Sequence, residues 1–143
     1  KLCPQGHVCG IDFSTESVAS SLRKNAGAVA AGRCEVRQGD VSRLPYADGS
    51  FDLATAFETV YFWPDVSAAF AEVFRVLRPS GVFLIVNEES GDSRWCAIVD
   101  GMRTYAADTL TEWLHAAGFD DVKADIREDG ALCLVAKKAP DSV

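Results

Sequence analysis

The sequence predicts an α/β fold with a mostly parallel sheet, helices on both faces and an antiparallel hairpin at the C-terminal end. Strand-like and helix-like runs alternate along most of the chain, as in parallel sheets joined by crossover helices. Residues 51–57 read FDLATAF, a nearly unbroken apolar run that is typical of a strand covered on both faces. The last two strand-like runs flank Asp129-Gly130, and an Asp-Gly pair favours a hairpin turn.

Each element has its own local signal. Val8–Ile11 is a short apolar run, and Ser14 is a suitable N-cap for a helix that reaches about Asn25. Residues 34–40 alternate weakly and end in Gly-Asp, which predicts a second strand. Apolar residues at helical spacing over Val66–Leu77 predict an amphipathic helix that is stopped by RPSG, residues 78–81.

The second half of the chain is read in the same way. Residues 82–87 form an apolar strand, and a variable stretch, Glu88–Ala107, follows it. Thr109 and Glu112 match a capping box, and Gly118 supplies the stop of that helix. VKADI (122–126) and LCLVA (132–136) are the strands of the final hairpin.

The bulk composition limits the class of partner. The 143 residues suffice for one domain with its own core, and we expect a single domain over residues 1–143. The formal net charge is -7, and no run of Lys or Arg occurs, so we expect no nucleic-acid partner and no anionic membrane surface.

Location and metal content follow from what the sequence lacks. There is no signal segment and no apolar run long enough to span a membrane, so we expect a cytoplasmic protein. The five cysteines are scattered without the paired spacing of a zinc site, and we expect reduced thiols and no metal. The chain begins at Lys1 rather than Met, so we expect an incomplete reading frame.

Three strand-like runs end in candidate ligand-binding residues. Asp12 and Asp40 follow the first two, and Phe57–Trp63 follows the third. In open parallel sheets, ligands bind outside the carboxyl ends of the strands, so we expect these residues on one rim. An acid at a strand tip can accept hydrogen bonds from both hydroxyls of a ribose. Such an acid normally follows a glycine-rich loop by about 20 residues, and no such loop precedes Asp12.

Four segments then stand out in order: GIDFSTESV (10–18), RQGDVSRLPYADGSFDLATAFETVYFWPD (37–65), EVFRVLRPSGVFLIVNE (72–88) and HAAGFDDV (115–122). Each is weak alone, but the series resembles the small-molecule class I S-adenosylmethionine (SAM)-dependent methyltransferases. The resemblance extends from about Val8 to Lys137. It implies a Rossmann-like methyltransferase sheet, SAM as the cofactor and a small molecule as the methyl acceptor.

The resemblance also implies roles for individual residues. Asp12 would bind the ribose hydroxyls with Phe13 near the adenine, while Asp40 and the Val41 N–H would bind the adenine edge. Beyond them, the methionine moiety would be lined by Phe57 and Glu58, and the substrate side by Tyr61, Phe62 and Trp63. Methyl transfer is a direct displacement that depends mainly on positioning, so no catalytic acid or base is assigned.

The chain departs from the family at its beginning. The family's first strand and glycine-rich loop should precede Val8, and we expect both to be missing. Their loss would split the sheet and leave strand edges that must pair with something else, such as a second copy in a homodimer. An alternative is therefore a non-catalytic, truncated methyltransferase-like remnant. A smaller departure is Ser80, where the family usually has glycine.

Simpler interpretations of these residues stay open. Asp12 can serve as a charge near a helix N-terminus, Asp40 as a turn residue and Glu58 as a solvated acid. The aromatic residues 61–63 can belong to the core. In the variable stretch, Arg94, Trp95 and Tyr105 are present, but no pattern singles one out. A nicotinamide oxidoreductase would share the ribose acid, but it leaves LPYADGSFD unexplained.

Overall fold

A computed structural model describes residues 5–91 and 93–141 of the chain. The chain divides into two compact units, with the boundary between Leu44 and Pro45. Their strands form two separate sheets, one of two strands and one of four. That the whole chain is one domain stays a prediction.

The smaller unit contains β1 (Val8–Asp12), α1 (Thr15–Lys24), α2 (Ala26–Ala30) and β2 (Cys34–Gln38). The two strands pair in parallel, and Asp12 lies opposite Gln38. The Ser14 side chain accepts a hydrogen bond from the Ser17 N–H at 3.2 Å, which confirms it as the N-cap of α1. None of the described residues of this unit is fully buried.

The larger unit carries a four-stranded sheet in the order β3-β4-β6-β5. The β3–β4 pair is parallel, whereas β6 is antiparallel to both β4 and β5. The predicted mixture of parallel strands and a C-terminal hairpin is therefore confirmed. In chain order, the elements are β3 (Phe51–Phe57), a 3₁₀ turn (Val60–Phe62), α3 (Val66–Val76), β4 (Leu77–Asn87), a 3₁₀ turn (Arg94–Ala97), α4 (Ala107–Ala117), β5 (Asp121–Ile126) and β6 (Leu132–Lys137).

Both long helices of the larger unit lie on one face of this sheet. Helix α3 packs against α4 and β4, and α4 packs against β5 and β6. The shared face of β4 carries Phe83 and Ile85, which are 1% exposed. Right-handed crossovers that advance in the same direction place their helices on the same face of a sheet. The prediction of helices on both faces of a single sheet stays a prediction, because this sheet contains only four of the six described strands.

The predicted apolar stripe of α3 forms the centre of the core. The Phe70 ring meets Phe83 at 5.7 Å between centroids, and Phe74 meets Phe119 at 5.1 Å, both edge to face. Burying each such ring fully contributes about 1.5–3 kcal/mol. Five residues of α3 are buried: Val66, Ala69, Phe70, Val73 and Val76.

The end of α3 is stabilised by a lysine from the end of the chain. Lys138 Nζ donates to the carbonyl oxygens of Phe74 and Leu77 at 2.8 and 2.7 Å, and it lies 4.2 Å from the Phe74 ring centroid. The last carbonyls of a helix have no partner within the helix, so the ammonium group satisfies them.

Helix α4 ends where the sequence predicts but begins two residues earlier than its predicted cap. Gly118 adopts φ 110° at its C-terminus, which confirms the predicted stop. The predicted capping box is wrong, because the helix already begins at Ala107 and Thr109 lies inside it. Burial of Ala107 and Leu110 against the core fixes the first turn without a side-chain cap.

Strand β3 lies at an edge of its sheet and pairs only with β4 among the described residues. Leu53 and Phe57 are 50% and 54% exposed. The expectation that this strand is covered on both faces is thus wrong for the part of the chain that the structure describes. An apolar edge of this kind can pair with another strand.

The RPSG segment does not simply end a helix but continues into β4 through an irregularity in the β3–β4 register. Ser80 adopts φ 62° there, a left-handed conformation that suits glycine. This conformation explains why a glycine is favoured at the position.

Replacing Ser80 by glycine should raise the free energy of unfolding by about 0.5–1 kcal/mol, because a left-handed side-chain residue costs about 1–2 kcal/mol and glycine recovers part of that. The bond from the Ser80 N–H to the Ala139 carbonyl is retained. Urea unfolding measures the change. The control Ala71→Gly, at an exposed position inside α3, should lower stability by about 1 kcal/mol. A loss of stability in Ser80→Gly would contradict the interpretation.

Candidate functional site

Asp12 lies at the carboxyl end of β1, where the parallel pair ends. Its Oδ1 accepts a hydrogen bond from the Ser14 N–H at 2.8 Å, and the side chain is half-buried. Oδ2 has no hydrogen-bond partner in the described part of the chain. The carboxylate is therefore held by the turn that starts α1, with one oxygen available to a ligand.

Asp40 is arranged in the same way two residues beyond β2. Its Oδ1 accepts hydrogen bonds from the Ser42 N–H at 2.8 Å and from the Ser42 hydroxyl at 2.7 Å. These bonds hold the pKa of the Asp40 carboxyl below its ordinary value, so the group is ionised at neutral pH. The Val41 N–H donates to no acceptor among the described residues.

The ladder between β1 and β2 brings these two acids to one end of the smaller sheet. The Gly39 N–H donates to the Asp12 carbonyl at 3.0 Å, and Gln38 Nε2 donates to the Phe13 carbonyl at 3.0 Å. The Phe13 side chain is 72% exposed beside them. An exposed ring at the strand end that carries the two acids suits a flat molecule with polar edges.

Glu58 occupies a strained position directly after β3. Its φ is 55°, a left-handed conformation that costs a residue with a side chain about 1–3 kcal/mol. Its N–H donates to the Val86 carbonyl at 2.9 Å, and its Oε1 accepts from the Glu88 N–H at 2.7 Å. The carboxylate therefore joins the ends of β3 and β4, beside the exposed ring of Phe57.

Tyr61 is buried, with only 3% of its surface exposed. Its hydroxyl accepts from the Glu89 N–H at 2.8 Å and donates to the Glu89 carbonyl at 3.2 Å. Burial raises the pKa of the Tyr61 hydroxyl to about 12, and the negative charges of Glu58 and Glu89 add to the increase. Tyr61 thus has a structural role in fixing the backbone at Glu89, two residues after β4.

The two neighbouring rings differ in exposure. Phe62 is 39% exposed and meets Tyr61 edge to face at 6.1 Å, whereas Trp63 is half-buried and meets Phe70 of α3 at 6.1 Å. Phe62 is the ring of this segment that is most available to a ligand. The substrate-side role of the three rings stays a prediction.

A pocket of about 580 Å³ lies in the loop between β4 and α4 and is called the loop pocket below. Its wall includes Arg94 and Tyr105, from the variable stretch, together with Met102 and Arg103. No periodic pattern marks Arg103 in the sequence. The available signal was that Arg94 and Arg103 are two cations in a variable loop of an acidic chain.

The described residues contain neither a cluster of metal ligands nor a membrane-spanning helix. Within residues 5–91 and 93–141, no three His, Cys, Asp or Glu side chains come together as ligands for a metal ion. Cys3 of the CPQGHVC segment lies outside the described residues. No helix in the described part of the chain combines the length and apolar composition needed to cross a bilayer.

Comparison with known proteins defines the class. The model of the methyltransferase domain family matches residues 1–85, and the chain belongs to this family. Its place among the class I SAM-dependent methyltransferases agrees with the motifs and the α/β fold.

Individual relatives support the same class. The chain is 37% identical over 78 residues to a demethylmenaquinone methyltransferase of Desulfitobacterium hafniense (strain Y51). The match covers 54% of this chain and 31% of that protein. The chain therefore spans about a third of the length of that curated relative.

Two solved structures share the fold at low sequence identity. A chain in the complex between the Haloferax volcanii Trm112 methyltransferase activator and a putative methyltransferase has a TM-score of 0.80 at 21% identity, covering 96% of this chain and 73% of that chain. A SAM-dependent methyltransferase from Methanosarcina mazei has a TM-score of 0.70 at 20% identity. The match covers 98% of this chain and 86% of that chain.

The buried tyrosine gives a pH-dependent prediction. Between about pH 10 and 12, Tyr61 should stay protonated in the folded protein and ionise when unfolded, so the folded state loses stability as pH rises through this window. The part of this loss that comes from Tyr61 should be absent in Tyr61→Phe. Urea unfolding across this pH range measures the free energy of unfolding. Tyrosinate absorbance of the folded protein measures the ionisation of Tyr61. Tyr105→Phe is the matched control, and an equal loss of stability in wild type and Tyr61→Phe would contradict the account.

Proposed function

We propose that this chain binds SAM and that the protein transfers its methyl group to a small molecule. The observation that carries the proposal is the pair of acids at one end of the β1–β2 sheet. Asp12 and Asp40 each have one oxygen bonded to a nearby backbone N–H and one oxygen without a partner in the described residues. Membership of the methyltransferase family supports the interpretation of these two acids as contacts for the cofactor.

The donor and acceptor groups fit the chemistry of the cofactor. Ribose presents two hydroxyl donors, which the free oxygen of Asp12 can accept, and hydrogen bonds to a charged group contribute about 1.5–3 kcal/mol each. Adenine presents an amino donor to Asp40 and a ring nitrogen to the Val41 N–H. The exposed ring of Phe13 would cover a face of the adenine.

The remaining residues are assigned to the reacting end of the cofactor. Bound SAM supplies an electrophilic methyl group on a positively charged sulfur. Phe57 and Glu58 would line the methionine moiety, and the strained backbone of Glu58 is consistent with a functional position. Phe62 would face the acceptor, with Trp63 beside it and Tyr61 fixing the segment from the core. Their contribution is positioning, which suits a direct displacement.

A second candidate is a non-catalytic methyltransferase-like protein that pairs its strand edges in a homodimer. The observation in its favour is the apolar surface on the two edge strands β1 and β3. Val8 is 52% exposed, and Leu53 and Phe57 are half exposed. Edges of this kind favour pairing with another strand.

Calorimetric titration of the chain with S-adenosylhomocysteine (SAH) distinguishes the two candidates. Binding in the low micromolar range supports the enzyme and contradicts the non-catalytic candidate. The absence of heat at millimolar SAH contradicts the enzyme. Analytical ultracentrifugation of the same sample shows whether a dimer forms, and a dimer without SAH binding supports the second candidate.

The ribose assignment predicts a specific loss of affinity. Asp12→Asn keeps an oxygen for the Ser14 N–H but removes the charge, and Asp12→Ala removes both. The dissociation constant for SAH should rise more than tenfold in Asp12→Ala and by a smaller factor in Asp12→Asn, since one lost charged hydrogen bond corresponds to about tenfold or more. Asp125→Ala, at an exposed position on β5, is the control and should bind as wild type does. An unchanged constant in Asp12→Ala would refute the ribose role.

A further inference from the structure

The loop pocket contains two arginines that form no salt bridge with the acids of residues 5–91 and 93–141. Among the described residues, Arg94 and Arg103 form no salt bridge, although the chain carries a net charge of -7. Arg94 instead lies over the Trp95 ring, with its Cζ 5.1 Å from the ring centroid. The described wall of the pocket contains no Asp or Glu, and Asp92, between the wall residues Gly91 and Ser93, lies outside the described residues. Two arginines in the wall of one pocket favour an anion, and carboxylate is the anion that matches the planar geometry of a guanidinium group.

The rest of the wall favours a flat apolar body on the same ligand. Met102 and Tyr105 supply apolar surface, and Tyr105 is held edge to face against Trp113 of α4 at 5.2 Å. A volume of about 580 Å³ lies within the range of small-molecule pockets. Such a wall suits one or two aromatic rings.

Hydrogen bonds hold the loop in place and connect it to the 3₁₀ turn that follows β3. The Gly91 N–H donates to the Tyr105 carbonyl at 3.0 Å, and the Thr104 hydroxyl donates to the Gly91 carbonyl. The Arg103 N–H donates to the Tyr61 carbonyl at 2.9 Å. The pocket is therefore fixed to the same segment that carries Phe62, the exposed ring assigned to the acceptor side.

We propose that the loop pocket binds the methyl acceptor and that this acceptor is an aromatic carboxylate, held by Arg94 and Arg103. The proposal rests on the proposed function for the identity of the ligand as an acceptor. The binding of the anion itself depends only on the pocket. The two parts can therefore be tested separately.

The probes are 1-naphthoate and its neutral analogue 1-naphthalenemethanol, titrated into the chain with and without SAH. Naphthoate should bind at least tenfold more tightly than the alcohol, and Arg103→Gln and Arg94→Gln should each remove most of this difference. Arg127→Gln is the matched control, because Arg127 is an exposed arginine of the same unit that pairs with Asp129 at the hairpin turn. It should leave both affinities unchanged.

Equal affinity for the two probes would overturn the proposal, because the pocket would then not select a carboxylate. It would also be overturned if Arg127→Gln reduced the preference for naphthoate as much as Arg94→Gln and Arg103→Gln do. Competition between SAH and naphthoate would also overturn it, since the pocket would then hold the cofactor rather than the acceptor. Selective naphthoate binding by a chain that gives no heat with SAH supports the anion pocket and contradicts the proposed function. Simultaneous binding of SAH and naphthoate supports the proposed function and the acceptor pocket together.

Discussion

The parallel pairing of β1 with β2 is the constraint on which the candidate cofactor residues depend. A parallel ladder places the carboxyl ends of its strands at one edge, and the bond from the Gly39 N–H to the Asp12 carbonyl extends the ladder to that edge. Asp12 and Asp40 are distant in sequence, yet this pairing brings both to the same end. If the ladder slipped by one residue, the side chains of one strand would change faces relative to the other.

The same local bonds serve folding and function at both acids. The Ser14 and Ser42 amides bind one carboxylate oxygen each, which fixes the turn at both acids, and the Ser42 bonds also lower the pKa of Asp40. A carboxylate held in this way has little side-chain freedom left to lose when a ligand binds its other oxygen. The structural interpretation of Asp12 as part of a helix start and its interpretation as a ligand for ribose are therefore compatible. Backbone strain lies elsewhere, at Ser80 and at Glu58, where the chain leaves β3 for the 3₁₀ turn.

The features that follow from local pattern could be predicted from the sequence. The α3 stripe, the N-cap at Ser14 and the helix stop at Gly118 depend on residues close together in the chain, and they are confirmed. Features set by distant residues could not be predicted. Packing of α4 against the core overrides its capping box, and the hydrogen bonds of the Tyr61 hydroxyl depend on Glu89, 28 residues away. The loop pocket could not be predicted either, because no spacing rule connects Arg94 with Arg103.

The central claim is that SAH is held at the strand ends where Asp12 and Asp40 lie. Nuclear magnetic resonance of the full chain tests it directly, because the Ser14 and Ser42 amides donate to these carboxylates and respond to any ligand bound at their other oxygens. On addition of SAH, the account predicts that these two amide signals are among the most strongly shifted. Binding of SAH that leaves both signals unchanged, with shifts confined to the hairpin turn at 127–131, would contradict it.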